Sequence, residues 1–477
     1  MEHRRTKIVA TLGPSCLGAD RLRGLIAAGT DVVRINFAHG SPEDHRVALG
    51  YARDAARAVG RMIGTAADLP GPKMRTGPIA GGEAELHDGS TVAMTTGEVE
   101  GTAERFSTTV EDLGSLVEPG EEIFLSDGAI AVRVVDVANN RMVHARVERG
   151  GVLKSRKGMH LPNSENKIEA FTSVDERALD AACDMGIDYV GLSFVRDAED
   201  IERVRAHLRS RRSNLQLVAK IETRSAIQNL DQIVSTADAV MVARGDLGVQ
   251  LPLRDVPFLQ KRIISQCNRL GRPVITATEM LESMTENRLP TRAEVADVAN
   301  AVLDGTDAVM LSGETAVGKH PVETVKAMDG IVGAADAQKT AYRAASQAMD
   351  ESIHDPVSWA IARAAVQAAE DLNVAVIVCP TRSGATAKRV SAFRPRMPIL
   401  GLAHRPDAVG ALALYWGVTP ALFEFLPEER LGDEGVKRAA DAALTAGMAR
   451  PGDLVAVVAG GPAPRAGSTD LVRIVRA

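Results

Sequence analysis

Along the chain, short apolar runs alternate with longer stretches in which apolar residues recur at helical spacing. Eight such runs stand out, at 6–12, 31–37, 62–68, 188–194, 216–222, 239–244, 273–279 and 307–314. Their interiors are nearly continuous in Val, Ile, Leu and Ala, the composition of parallel strands covered on both faces. Eight βα units in succession close most naturally into a (β/α)8 TIM barrel. The pattern therefore predicts an α/β chain whose barrel is built from 1–69 and 167–338.

The gap at 70–166 has another texture. Gly-Gly, Asp-Gly, Pro-Gly and Asn-Asn turn signals separate short alternating stretches such as 129–137, which predicts an all-β insertion, here expected as a small β-barrel. An insertion after a barrel strand lies at the C-terminal face, where it can act as a lid. After about Gln338 the pattern restarts with an amphipathic stretch at 356–372 and apolar runs at 373–380, 397–403, 418–425, 453–460 and 471–477. This predicts a separate open α/β domain over 339–477.

Composition narrows the function classes. The 477 residues exceed one ordinary core, and 45% apolar with 25% charged residues is globular. No apolar run reaches membrane-spanning length and no signal-peptide pattern opens the chain, so a cytoplasmic protein without a membrane partner is expected. A formal net charge of -6 gives no electrostatic reason to expect nucleic acid. Cys16, Cys183, Cys267 and Cys379 are scattered without a CxxC pair, so neither a zinc site nor a disulfide framework is expected. Aromatic residues at 3% disfavour base-stacking platforms.

The chemistry collects at the C-terminal ends of the predicted barrel strands, the face where barrel enzymes work. Arg34 and Asn36 fall on one side of the second strand by period-2 alternation, and Arg presents a fork of donors suited to phosphate. An ion pair on the barrel rim is the plainer reading of Arg34. The fifth strand ends on Lys220 and Glu222, and the sixth runs into Ala243, Arg244, Gly245 and Asp246. Two carboxylates from neighbouring strand ends, Glu222 and Asp246, suit Mg²⁺ or Mn²⁺, which takes a few hard oxygens and leaves positions for substrate. A buried Lys–Glu pair competes with that reading. Gly245 and Gly248 favour the site, because glycines let backbone amides approach an anion. Thr278 and Ser312, at the ends of the seventh and eighth strands, either relay protons or cap the following helices.

The segments TKIVATLGPS (6–15), DVVRINFAHG (31–40), GPKMRTG (71–77), KGMHLP (157–162), KIE (220–222), MVARGDLGV (241–249), TATEMLESM (276–284), PTRAE (290–294) and MLSGETA (310–316) resemble pyruvate kinase, in order and at that family's spacing. The resemblance implies phosphoryl transfer from phosphoenolpyruvate to ADP in glycolysis, by a homotetramer. It implies that Glu222 and Asp246 hold the divalent ion, and that Lys220 and Arg34 stabilise the phosphoryl group in transit. The backbone at Ala243, Arg244, Gly245 and Asp246, with the hydroxyl of Thr278, resembles the end that binds the substrate carboxylate. Ser312 and Glu314 match the proton path, and Asn36, His39, Arg75 and Lys157 match positions near the nucleotide.

Departures from the family pattern carry their own expectations. Many members bind K⁺ through Asn, Ser, Asp and Thr, where this chain has Asn36, Ala38, Asp68 and Leu69. Lys73 stands where those members carry Glu. The expectation is that the Lys73 ammonium, near Asp68 and the phosphates, replaces K⁺, so that K⁺ is not required. Glu279 replaces a common Gln, Gln250 a common Glu, and Ser126 one of two acids beside Asp127. In the C-terminal domain, Thr381, Arg382, Ser383, Gly384 and Thr386 open a helix after a strand, either as an ordinary cap or as an anion site, and the family places a phosphorylated effector there. Two other readings compete: a Mg²⁺-dependent lyase or aldolase of the phosphoenolpyruvate/pyruvate barrel group, and a regulatory homologue that has lost activity.

Overall fold

The computed structural model describes residues 4–97, 99–164, 167–339, 355–424, 432–460 and 468–477. The expected insertion boundary at 166 lies outside them. Eight parallel strands, Lys7–Thr11, Val32–Asn36, Gly64–Asp68, Tyr189–Leu192, Gln216–Ile221, Ala239–Ala243, Val274–Ala277 and Ala308–Leu311, close into a barrel in chain order. Each apolar run of the barrel pattern supplies one strand. Both Lys7–Thr11 and Ala239–Ala243 are buried at every position, as strands walled by the lumen on one side and helices on the other must be.

Helix starts follow from local chemistry. Ser41 with Asp44, Thr172 with Asp175, and Thr291 with Glu294 form reciprocal capping boxes at the helices Pro42–Val59, Ser173–Asp184 and Arg292–Asp304.

The insertion is a sheet domain rather than a continuous closed barrel. Six strands, Met159–His160, Glu122–Leu125, Ile130–Asn139, Met142–Arg149, Thr91–Thr96 and Arg105–Thr108, form one sheet in that order, and Glu83–Leu86 pairs with Gly151–Lys154 as a ribbon. Register shifts along Ile130–Asn139 curl the sheet, yet only single bridges, Arg75 to Gly158 and Thr76 to Thr108, span its two edges. Its core of Leu86, Val92, Met94, Phe106, Ile123 and Val143 is its own.

The C-terminal sheet runs Val418–Leu422, Ile399–Ala403, Val376–Pro380, Leu454–Ala459, Leu471–Arg476, with four parallel strands and an antiparallel last one. This domain seals the N-terminal end of the barrel. Ala411, Ala413 and Leu414 pack into the lumen cluster with Val9, Tyr189, Met241 and Met310. Tyr189 donates to the Ala411 carbonyl at 2.6 Å, and Lys7 Nζ to the Val418 carbonyl at 2.6 Å. The opposite end of the barrel is left to the lid.

Candidate active site

At that open end, four strands deliver charge to one place. Arg34 Nη2 donates to Asp68 Oδ2 at 2.8 Å and its Nη1 to Thr11 Oγ1 at 3.0 Å. Lys220 Nζ lies 2.7 Å from Glu222 Oε1 and 3.5 Å from Asp68 Oδ2, and donates to Ser193 Oγ at 3.0 Å. Glu222 Oε2 accepts the Phe194 amide at 2.8 Å. Phe194 holds a φ of 56°, a left-handed conformation that costs a non-glycine residue energy, and it turns that amide toward the carboxylate.

Burial makes these charges depend on each other. Burial alone would raise the Asp68 carboxyl, but Arg34 and then Lys220 outweigh it and hold the group below the ordinary carboxylate range. Burial opposes the charge on Lys220, yet Glu222, Asp68 and Asp246 together keep its ammonium above the ordinary lysine value. Burial pushes Glu222 up to about 7, with Lys220 opposing and Asp246 adding to the rise. The shifts of Lys220 and Glu222 pull apart because three carboxylates share one ammonium, Arg34 being spent on Asp68. Lys73 adds a further ammonium near Asp246, so the shortfall of positive charge is local to the Glu222 carboxylate.

That deficit tests the fit of a divalent cation. Glu222 is 1% exposed, and its Oε1 accepts no hydrogen bond although it touches Lys220. An unfinished carboxylate oxygen beside a second carboxylate is a fitting donor set for a hard cation. Among the described residues no group of three or more His, Cys, Asp or Glu forms a complete cage. Two protein carboxylates leave the remaining positions to substrate and water.

The next two strands shape the neighbouring wall. Thr278 and Glu279 have φ of 66° and 52°, successive left-handed residues just past Val274–Ala277. Such strain, about 1–3 kcal/mol per residue, persists only where surroundings impose it. Here Arg244 imposes it. Its guanidinium grips both oxygens of Asp297 at 2.8 and 2.6 Å and donates to the carbonyls of Ala277, Thr278 and Glu279. The side chain of Arg244 is therefore spent on scaffold, and what this segment offers a ligand is backbone. Thr278 Oγ1 accepts the Gly245 amide at 2.8 Å, tying the two loops together. Glu314 is fully buried, its oxygens accepting the amides of Leu281 at 3.1 Å and Ser312 at 2.7 Å.

A family model for the pyruvate kinase barrel domain matches residues 3–325, and one for the pyruvate kinase alpha/beta domain matches 359–475. The chain belongs to the pyruvate kinase family. A pyruvate kinase of Geobacillus stearothermophilus is 41% identical over 99% of this chain and 80% of its own length. One of Mycobacterium tuberculosis is 40% identical over 99% of this chain and 98% of its own. The crystal structure of a pyruvate kinase from Cryptosporidium parvum superposes with a TM-score of 0.90 at 34% identity, covering 99% of this chain and 96% of that one. Members of the family are phosphotransferases that use Mg²⁺.

The remaining positions that pyruvate kinase motifs single out fall around this cluster in different ways. Asn36 turns its Oδ1 back to the Ala38 amide at 3.1 Å. Burial first, then Lys73, Arg75 and Arg34, lower the His39 pKa. Arg75 donates to the Arg156 carbonyl at 2.9 Å, and the Lys157 amide donates to Thr76 Oγ1 at 3.0 Å, so both residues ride on the lid hinge. Lys73 is not the partner of Asp68, whose charge Arg34 and Lys220 take. Burial, then Arg75 and Lys220, lower Lys73 to about 8, with Asp246 opposing. The lid tip, Ser126, Asp127 and Gly128, is left-handed throughout, and Gly128 lies over Val249 of the helix Arg244–Gln250. Gln250 is buried, its Oε1 without a hydrogen-bond partner among the described residues.

The C-terminal loop divides likewise. Thr381 Oγ1 accepts the Gly384 amide at 3.0 Å, Gly384 sits at φ 86°, and Thr386 Oγ1 lies 3.0 Å from Thr469 Oγ1. Arg382 and Ser383 stay exposed.

Three contributors were missed from sequence: Ser193, Thr11 and His160. Ser193 ends an apolar run, so the strand-end rule that found Lys220 would have found it. Thr11 read as an ordinary strand residue. His160 is buried on the hinge, its pKa lowered by burial against the opposing carboxylates of Asp246 and Asp127. No periodicity marks it.

Proposed function

We propose that this chain transfers the phosphoryl group of phosphoenolpyruvate to ADP, giving pyruvate and ATP, as a glycolytic enzyme of the cytoplasm. The observation that carries the reading is the buried cluster of Lys220, Glu222, Asp68 and Arg34, whose charges close only when a cation and an anionic substrate arrive. Lys220 and Arg34 face the phosphoryl group in transit, and phosphoryl transfer asks of a protein chiefly positioning and cancellation of charge. Glu222 and Asp246 hold Mg²⁺ or Mn²⁺, which when bound supplies Lewis-acid stabilisation of the enolate and phosphoryl oxygens. The backbone at Ala243–Asp246, with Thr278, receives the substrate carboxylate, and Arg244 fixes that backbone. The enolate left by transfer takes a proton at its methylene carbon. Ser312, whose hydroxyl makes no capping bond, stands for the relay, and Glu314 positions it through the Ser312 amide.

His39, Asn36, Arg75 and Lys157 line the nucleotide side, where the lid brings Asp127 toward Asp246. Lys73 supplies the fixed positive charge that K⁺ supplies elsewhere, now assigned to the phosphates beside Arg75 and Lys220 rather than to Asp68. Exposed Leu253, Phe258 and Leu289 give the barrel an apolar face for a homotetramer. Arg382 and Ser383 are the groups left for a phosphorylated effector.

A coupled assay for pyruvate tests the reaction. Glu222→Gln is expected to abolish turnover and Mg²⁺ dependence together, and unchanged Mg²⁺ dependence would remove the metal assignment. Equal rates in K⁺ and tetramethylammonium are expected, and strong K⁺ activation would remove the role of Lys73. Sugar-phosphate and AMP titrations of wild type and Ser383→Ala should diverge; identical curves leave the loop a cap.

A further inference from the structure

Between the barrel and the C-terminal domain, on the face away from the active site, lies a cavity of about 10 Å³. That is room for one water-sized occupant, too little for a phosphorylated metabolite. Its wall carries three cationic side chains, Arg272 and Lys388 with Arg394, against one carboxylate, Asp307. The charges do not cancel. Arg394 is spent on Asp307 at 2.8 Å and on Asn268 Oδ1 and the Gly305 carbonyl, each at 3.0 Å. The second oxygen of Asp307 accepts the Val274 amide at 2.9 Å. Nearby Asp238 is engaged by Arg205 at 3.1 Å and by the Leu217 amide at 2.9 Å.

Two donors remain. Arg272 places one nitrogen on the Ser235 carbonyl at 2.7 Å, but its Nε is buried with no hydrogen-bond partner among the described residues. Lys388, on the helix Ala385–Ala392, has no ion pair within 4.0 Å among the described residues. Lys388 is half-buried, and burial, then Arg272, lower its ammonium to about 7. The Arg272 nitrogen, cut off from water without a partner, is the costly one, and an anion beside it is the usual relief.

We propose that a small monovalent inorganic anion, of halide size, binds in this cavity between Lys388 and Arg272 and joins the C-terminal domain to the barrel. The site differs from the exposed loop at Arg382 and Ser383 in place and in ligand. It lies at the other end of the bound loop's helix, so occupancy stiffens the seat of that helix on the barrel. Selection is by size and charge: the volume rejects multiatom phosphates, and three cationic side chains against one carboxylate reject cations.

The test uses the full chain without substrates. Apparent melting temperature is measured in potassium chloride and in potassium gluconate at equal ionic strength, for wild type and for Lys388→Met, which keeps the length of the side chain. Chloride is expected to raise the wild-type value by about 2 °C or more, as a ligand of the native state does. Lys388→Met is expected to lose that response and, in gluconate, to melt no lower than wild type. Arg272→Gln serves as a second variant, losing the same response. Crystals soaked in bromide should give an anomalous peak in the cavity. Equal chloride responses in wild type and variants would overturn the proposal, as would a cavity without bromide. A bromide peak without any difference in solution would mean binding at crystal concentration only, and would overturn it too.

Discussion

The two ends of the barrel both bury charge, and they treat it in opposite ways. At the sealed end, Asp31 takes Arg4 at 2.7 Å, Arg61 at 3.2 Å and the Ile8 amide at 2.9 Å, while Lys7 donates to the Val418 carbonyl across the domain junction. Each group is spent on protein. At the open end, Glu222 Oε1 and Arg34 Nε are buried without hydrogen-bond partners among the described residues. A satisfied network stabilises and an unsatisfied one waits for a ligand, which is why barrel function sits at one rim and barrel stability at the other. The Lys388 cavity breaks this rule at the sealed side, and that is the reason it draws attention there.

The largest effect should come from the open end. Lys220→Met is expected to lower kcat by about 10³–10⁵-fold, the range for a single cation that stabilises a phosphoryl group in transit. The fold should survive, because Glu222, already pushed up to about 7, takes a proton rather than stay charged and unpaired. Steady-state kinetics with a thermal melt on the same sample check both halves. A variant that loses stability as well as rate would show that the open end is structural after all.

The sealed end should answer in the other currency. Asp31→Ala removes the carboxylate that Arg4, Lys7 and Arg61 share, and breaking a buried pair costs about 3–5 kcal/mol. Urea unfolding should show that loss while kcat per folded molecule stays near wild type. Loss of kcat without loss of stability would erase the contrast.

The sequence made the open end more legible than the sealed one, for a physical reason. Lys220, Glu222, Arg34 and Asp246 are polar residues at the ends of apolar runs, where burial gives them no excuse, so position alone exposed them. The barrel strands were legible too, since continuous apolar runs leave little choice of structure. The Arg244 segment read as backbone for the substrate carboxylate, but the task of its side chain, holding Asp297, was not legible, because that partner lies 53 residues away and no local pattern announces it. The seal at Leu414 and Tyr189 was invisible for the same reason: a residue that packs between domains looks, in sequence, like any core residue. The closure of the insertion depends on single bridges at Arg75 and Thr76, which no alternation records.

A smaller effect probes how tightly the seal is built. Gly410 lies in the short helix Pro406–Leu412 that caps the lumen, and a Cβ there would fall within the Asp188 carboxylate. That carboxylate is pinned by the Thr65 amide at 2.8 Å and hydroxyl at 2.7 Å, so it has little room to move. Gly410→Ala should destabilise by about 1–3 kcal/mol as overpacking does. The penalty should shrink in the double variant with Asp188→Ala, and additivity would show that the two sites do not touch.

The smallest effect concerns pH. Burial raises Asp188 from an ordinary 3.8 to about 7, with the Thr65 bonds and Arg53 opposing and Asp407 adding to the rise. The unfolded chain releases this proton near 4 and the folded chain only near 7, so between those values the folded state holds the extra proton. The contribution of Asp188 to stability is therefore complete below the unfolded pKa and is lost as pH rises through the folded one. Asn keeps an acceptor for Thr65 and cannot titrate. Wild type should thus lose stability relative to Asp188→Asn between about pH 4 and pH 7, with the difference levelling off above. Other groups titrate in both proteins and cancel in the comparison. Parallel stability curves for the two proteins would mean that Asp188 is ionised at the seal with its charge fully compensated, and that burial does not raise it there.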